Sequence, residues 1–248
     1  MAVQYRSISA LRKGDTGTII LAKPAGVVEG DMLIAFISMN ANKLITPPAG
    51  WINIYNPGHA YNNAQSGLYK VAGPAEPASY TFTLSGATPN RSRIIAFYSD
   101  DSIPLLMTGY SRQGTSGKAT PAIIPSVTFA NDNSLLAGAV TFQDEIITSS
   151  WGVMTQIFDD PWNGYSMDGA YQLIALSGAT GNRNITLSAA DYWTTLGVKI
   201  EETLVGYVFP YNVDFESPAA DDSIHAFGIV SEGAANDDSV HISDVSLE

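Results

Sequence analysis

Short runs of β-branched and aromatic residues, separated by Gly, Pro, Asn and Asp, make up most of the chain. Residues 80–84 alternate polar and apolar side chains with a period of two, which predicts a strand with one buried face. Residues 33–37 and 93–98 form nearly continuous apolar runs, typical of strands near the middle of a packed sheet. No stretch keeps helical spacing for three turns without Gly or Pro. The pattern predicts an all-β protein.

The strand-like landmarks occur twice in the same order. Matching positions lie 100 to 103 residues apart, as in the pairs Leu33 and Leu135, Trp51 and Trp151, Tyr69 and Tyr171, and Leu84 and Leu187. Such a steady offset favours a duplicated domain over chance similarity. We predict two tandem antiparallel β-sandwich domains of the jelly-roll kind, at residues 1–103 and 104–202.

Three polar stretches punctuate this pattern. The nearly identical runs 85–91 and 177–183 lie 92 residues apart, outside the register of the repeat, and we interpret both as polar turns. Residues 108–120 are polar and rich in Gly, which predicts a connector or a long loop of the first strand. Residues 203–248 are few for a domain that folds alone, and we expect them to form a C-terminal β arm or hairpin.

Charge separates that arm from the rest of the chain. The net charge is −12, yet all 12 Lys and Arg lie at or before Lys199 beside 13 acidic residues, which leaves −1 there (12 − 13). From Ile200 onward there are 11 acidic residues and no Lys or Arg. An acidic arm repels nucleic acid and anionic lipid, so we expect neither nucleic-acid nor membrane partners.

The N-terminus lacks an apolar signal segment, and the apolar runs are too short to cross a bilayer. We therefore expect synthesis in a cytoplasm. The chain has no Cys, which removes disulfides and thiolate metal sites.

Several segments of the first half carry a resemblance. They are Gly30-Asp-Met-Leu-Ile-Ala-Phe36, Pro47-Pro-Ala-Gly-Trp51, residues 68–72 and residues 76–82. Together they resemble a β-sandwich module of tailed-phage virion structural proteins (tail, fibre and surface accessory proteins) and of some bacterial surface proteins. The resemblance covers roughly residues 15 to 100 and reaches the second half only through the repeat. It implies a virion component that assembles with other virion proteins and as a homo-oligomer, made in the host cytoplasm.

Candidate catalytic chemistry is sparse. Asp15-Thr-Gly-Thr18 spells the aspartic-protease signature, but that chemistry needs a second carboxylate and no second Asp-Thr-Gly exists, so we interpret it as a turn. His59, His225 and His241 show no metal-ligand spacing and accompany no nucleophile elbow. Calcium between acidic pairs such as Asp100-Asp101 stays open beside simple solvation. We expect no enzymatic activity, cofactor or metal.

Aromatic residues provide the remaining candidates for contact. Tyr55, His59 and Tyr61 in the first half, and Trp162 and Tyr165 in the second, lie in corresponding polar segments after the core-type Trp. Exposed rings beside Asn and Asp suit a protein–protein contact or sugar stacking. A carbohydrate-binding module for a host surface glycan is therefore the alternative function.

Overall fold

The computed structural model describes residues 2–56, 64–100, 103–144, 148–161, 166–203, 224–226 and 245–247. Among these residues the chain is all β and every paired strand is antiparallel. Residues 1–203 form one compact unit and residues 204–248 a second. Within the described part, no helix long and apolar enough to span a membrane is found.

The described residues of the first half form seven strands. They are β1 (Val3–Ile8), β2 (Arg12–Ala22), β3 (Met32–Met39), β4 (Ile45–Thr46), β5 (Ile52–Tyr55), β6 (Ala64–Val71) and β7 (Ser79–Ser99). An inner sheet has the order β1-β7-β3-β6-β5, and β2 and β4 pair with β7 outside that path. The 21-residue β7 takes part in both layers, because its first residues pair with β2 and β4 and its last residues with β3 and β1.

The described strands of the second half have the same order in the inner sheet, and no strand there is as long as β2 or β7. They are β8 (Leu105–Gly114), β9 (Ala122–Ile124), β10 (Thr128–Phe129), β11 (Ser134–Phe142), β12 (Thr148–Ser150), β13 (Thr155–Asp160), β14 (Ser166–Ile174), β15 (Gly178–Ala179), β16 (Arg183–Leu187) and β17 (Trp193–Glu202). The inner sheet has the order β13-β14-β11-β17-β8, and the outer strands form the sheets β12-β16-β9 and β10-β15. In the C-terminal unit, β18 (Ile224–Ala226) pairs with β19 (Val245–Leu247).

The two inner sheets share one pairing register. Ile34 lies opposite Tyr69 and Ile95, and Ala137, its counterpart in the second half, lies opposite Tyr171 and Val198. The described strands of each half pair only within that half. The repeat in the sequence therefore corresponds to equivalent strands, but its pairing of Leu33 with Leu135 is wrong by one residue, because these two side chains lie in different apolar cores. The division into two domains at residue 103 stays a prediction.

Three apolar cores separate the layers. Alternate residues of β3 point to opposite faces: Leu33, Ala35 and Ile37 pack beneath β2 and the start of β7, and Ile34 and Phe36 face the second half. The core between the inner sheets joins both halves and includes Ile34, Phe36, Phe97, Ala137, Ala139, Leu196 and Val198. Because both of their faces are covered, β3 and β11 are buried along their whole length. This confirms the expectation drawn from the continuous apolar runs.

The two tryptophans of the repeat lie in the outer cores. Trp51 and Trp151 are each 4% exposed. Gly50 has a φ of +79°, a conformation that glycine adopts without strain, and it ends the Pro-Pro-Ala-Gly loop directly before Trp51. The Trp51 ring packs edge-on against Tyr80 and Phe82, with ring centroids 5.1 Å away in both cases. The Pro-Pro-Ala-Gly loop thus places Trp51 in the outer core of the first half.

Three local interpretations were wrong. Residues 85–91 lie inside β7, where one register shift against β2 lets the strand pass between the two layers. Residues 108–114 belong to β8, because its side chains and backbone complete the inner sheet beside β17. Asp15 and its neighbours lie in β2, with Asp15 opposite Pro89, and do not form a turn.

Close packing across the middle core generates a first prediction. A Cβ added at Gly67 would lie 2.4 Å from Leu196 Cδ2 of the other half. We expect Gly67→Ala to lower the free energy of unfolding by about 1–3 kcal/mol through overpacking. In the background of Leu196→Ala, which removes the clashing atoms, the same change costs less. Denaturant unfolding of the four proteins measures this coupling; strictly additive effects contradict the contact between the halves.

Candidate functional site at the polar end of the inner sheets

The middle core changes from apolar to polar at one end of the inner sheets. Ser38, near the end of β3, lies opposite Gln65 on β6 and opposite Arg91 on β7. Directly opposed residues share a face, so these three side chains form one row facing the second half. Each is at most 2% exposed. The hydroxyl of Ser38 and both amide atoms of Gln65 are buried and have no hydrogen-bond partner among the described residues.

An ion pair joins the two halves beside this row. Arg93 on β7 donates from Nε and Nη2 to the two carboxylate oxygens of Asp160 on β13, at 2.6 and 2.7 Å. Its Nη1 donates to the carbonyl of Ser9 at 2.9 Å, and Arg91 Nη1 donates to the carbonyl of Asp160 at 2.6 Å. The Asp160 side chain is 6% exposed. Removing one partner of such a pair leaves a desolvated charge and typically costs about 3–5 kcal/mol.

A second acidic side chain lies next to this pair. Asp168 on β14 is fully buried and lies opposite Asp159 on β13. Thr148 donates its hydroxyl to the Asp168 carboxyl, and the Asp160 backbone N–H donates to it at 3.3 Å. Burial raises the pKa of Asp168 to about 8, with the negative charge of Asp159 contributing, against the lowering effect of the Thr148 hydrogen bond. Burial therefore favours the neutral form of the Asp168 carboxyl.

At the opposite edge of the inner sheets, the two halves meet through aromatic residues and an arginine. Tyr55 ends β5, and its ring centroid lies 6.3 Å from that of Tyr110 on β8. The Arg112 guanidinium lies 4.3 Å from the Tyr55 ring centroid, close enough for a cation–π interaction. Tyr110 is 47% exposed and Arg112 is exposed as well. We call Tyr55, Tyr110 and Arg112 the β5/β8 edge cluster.

Of the five aromatic and histidine candidates from the sequence, the structure places Tyr55. His59, Tyr61, Trp162 and Tyr165 lie outside the described residues. In the sequence, these four lie between β5 and β6 and between β13 and β14. Their role in contact stays a prediction.

The charged residues that organise the polar end were not predicted from the sequence. Arg91 and Arg93 are two apart and directly precede an apolar run, so their strand places both on one face of a buried sheet. From this spacing in the sequence, the shared buried face of the two arginines could have been predicted. The acidic partner was unpredictable, because Asp160 reaches Arg93 only when the two halves pack together. Asp160 is thereby neutralised by Arg93, which disfavours it as a calcium ligand.

In the described part of the chain, no group of three or more His, Cys, Asp or Glu side chains is placed to hold a metal ion. The groups of the polar end are buried, whereas Tyr110 and Arg112 of the β5/β8 edge cluster are exposed.

No protein-family model, curated protein or solved structure matches the chain.

Asp168 generates a pH prediction. Its pKa in the folded state, about 8, exceeds the ordinary value of 3.8, so the folded protein keeps a proton that the unfolded chain releases. The free energy of unfolding therefore falls as pH rises from about 4 to 8. We expect Asp168→Asn to remove much of this fall and to stabilise the protein at pH 8 by on the order of a few kcal/mol.

Urea unfolding at several pH values between 4 and 9 measures the effect. Asp159→Asn is the matched control: it removes the neighbouring charge but leaves the burial that is the main cause, so most of the fall remains. Parallel pH profiles for the parent protein and Asp168→Asn contradict the assignment.

Proposed function

We propose that the protein is a non-enzymatic structural component of a tailed-phage virion, on the capsid surface or the tail, that works by protein–protein assembly. In this proposal residues 1–103 and 104–202 are two tandem β-sandwich domains, and residues 203–248 are an acidic β arm that engages a neighbouring subunit. The resemblance of the first half to virion modules gives the class of particle.

The observation that carries the proposal is the separation of the acidic segment from the compact unit. Residues 204–248 group apart from residues 1–203, and they hold nine acidic residues and no Lys or Arg. The segment also carries large apolar side chains, such as Leu204, Tyr207 and Phe209. Burial of these side chains against another subunit would offset the entropy of ordering the segment. Strand addition to a free sheet edge is one way to achieve this.

Several charged side chains of the compact unit are paired within the fold: Arg93 binds Asp160, Lys70 binds Glu76, and Arg6 binds Asp31. Burial opposes ionisation of Glu76, but hydrogen bonds from Lys70, Gly73 and Tyr80 outweigh it and lower its pKa. These groups hold loops and halves in place and leave the outer surface and sheet edges for function.

The proposal predicts the mass in solution. We expect the 26.4 kDa chain to form an oligomer that light scattering detects, and deletion of residues 204–248 to convert it to a monomer of unchanged fold. A full-length variant with the nine acidic residues of the arm replaced by Asn or Gln tests whether the oligomer depends on the negative charge of the arm or on its ability to form a strand. An oligomer that persists after the deletion contradicts a role of the arm in assembly.

A carbohydrate-binding module is the second candidate function. The observation that favours it is the half-buried Tyr55, whose ring lies beside the exposed Tyr110 and Arg112. Sugar rings stack on exposed aromatic side chains. Glycan-array binding that is lost in Tyr61→Ala or Trp162→Ala, together with a monomer in solution, would favour this function over assembly.

A further inference from the structure

The inner sheet of the second half ends in a long exposed edge. The edge strand β8 has ten residues, of which only Leu105 is buried. Among the described strands, it pairs with β17 alone. An edge strand presents a row of backbone N–H and C=O groups that another chain can pair with. Proteins commonly blunt such edges with prolines or charges, yet β8 has no proline and a single charged residue, Arg112.

We propose that the free edge of β8 at residues 109–114 binds residues 204–209 of a second copy of this chain as an added antiparallel strand. The inference rests on the proposed function and names the surface that accepts the arm.

The register of β8 shows which backbone groups are free. The Thr115 N–H donates to the Trp193 carbonyl at 3.1 Å, so this opposed pair is a hydrogen-bonded one. Hydrogen-bonded and non-hydrogen-bonded pairs alternate along an antiparallel ladder. The ladder is regular from Gly109 to Gly114. The backbone groups of Tyr110 and Arg112 therefore point away from β17, toward the free edge.

The other edges of the inner sheets are poorer acceptors. On β13, Asp160 is held through its carbonyl and carboxylate by Arg91 and Arg93. The strand β5 has only four residues, and β1 is interrupted by a register shift after Tyr5. The register shift in β8 falls between Met107 and Gly109, so the following six residues remain available for pairing.

Charge and sequence pattern point to the arm as the occupant. Arg112 is exposed, and no described carboxylate lies within 4.0 Å of its guanidinium. Residues 204–209 read Leu-Val-Gly-Tyr-Val-Phe, a run with high strand preference, and acidic residues flank it at Glu202 and Asp214. Backbone pairing would supply affinity, and the flanking carboxylates would suit Arg112.

The direction of the chain favours a second copy over the same chain. Glu202 at the end of β17 lies opposite Leu105 at the start of β8. Any strand that starts at this point and extends along β8 of the same chain is parallel to β8. Every described pair in these sheets is antiparallel, and antiparallel pairs are slightly more stable. A strand from a second copy can enter in the antiparallel direction.

Two proline variants test this pairing. Arg112→Pro removes an outward N–H without breaking the ladder to β17, and Val208→Pro disrupts the donated strand. We expect each to raise the dissociation constant of the oligomer at least about tenfold, the loss expected from one or two backbone hydrogen bonds. Ala219→Pro, outside the run, is the matched control for Val208→Pro and should leave the dissociation constant unchanged.

Mixing the two variants separates exchange between chains from pairing within a chain. The Arg112→Pro protein keeps its strand 204–209, and the Val208→Pro protein keeps its β8 edge, so the mixture should regain association that neither shows alone. Light scattering measures the mass, and circular dichroism confirms the fold. Arg112→Glu, compared with Lys43→Glu, tests the charge without a proline: only the former should weaken the oligomer.

The outcomes distinguish this inference from the proposed function. Loss of the oligomer on deletion of residues 204–248 supports assembly through the arm. If Arg112→Pro and Arg112→Glu nevertheless assemble as well as the parent protein, the β8 edge is not the surface that accepts the arm. A mixture that stays dissociated overturns exchange between copies. A monomeric parent protein overturns both.

Discussion

The packing of two inner sheets against each other is the constraint on which the compact unit depends. Because each sheet is covered on its outer face by its own half and on its inner face by the other half, β3 and β11 have no face toward water. Fully burying a large apolar side chain contributes about 1.5–3 kcal/mol, so this middle core accounts for a large share of the stability. It also requires glycine where backbones and side chains approach closely, as at Gly67 beneath Leu196.

The same packing explains the polar end. Where the inner sheets approach the loops, the interface is closed on one edge by Arg93 and Asp160 and on the other by the β5/β8 edge cluster. A buried ion pair adds little net stability over apolar packing, but it penalises any arrangement that separates its partners. Arg93 and Asp160 therefore fix how the halves meet. The exposed edge cluster, in contrast, leaves β8 available for contact with another chain.

Periodicity in the sequence was sufficient for the fold class and for the strand pattern. The apolar run at residues 33–37 and the tryptophans at 51 and 151 predicted core positions correctly. A strand buried on both faces, or a Trp that a loop places in the core, can be recognised from a short stretch of sequence. The polar residues 85–91 and 108–114 were read as turns or connectors, since Gly, Ser and Thr mark loops and exposed edge strands alike. Tyr55 was identified, yet its partners Tyr110 and Arg112 come from the other half, and pairing across halves has no signature in a single sequence.

Native-state hydrogen exchange tests the central claim, that the two halves form one cooperative unit through the middle core. Exchange of the β3 and β11 amides should be followed at increasing, sub-denaturing urea concentrations. Since neither inner sheet can open without exposing the face of the other, we expect both strands to share one opening free energy and one urea dependence. Two distinct opening free energies, with one half exchanging while the other stays protected, would contradict this claim.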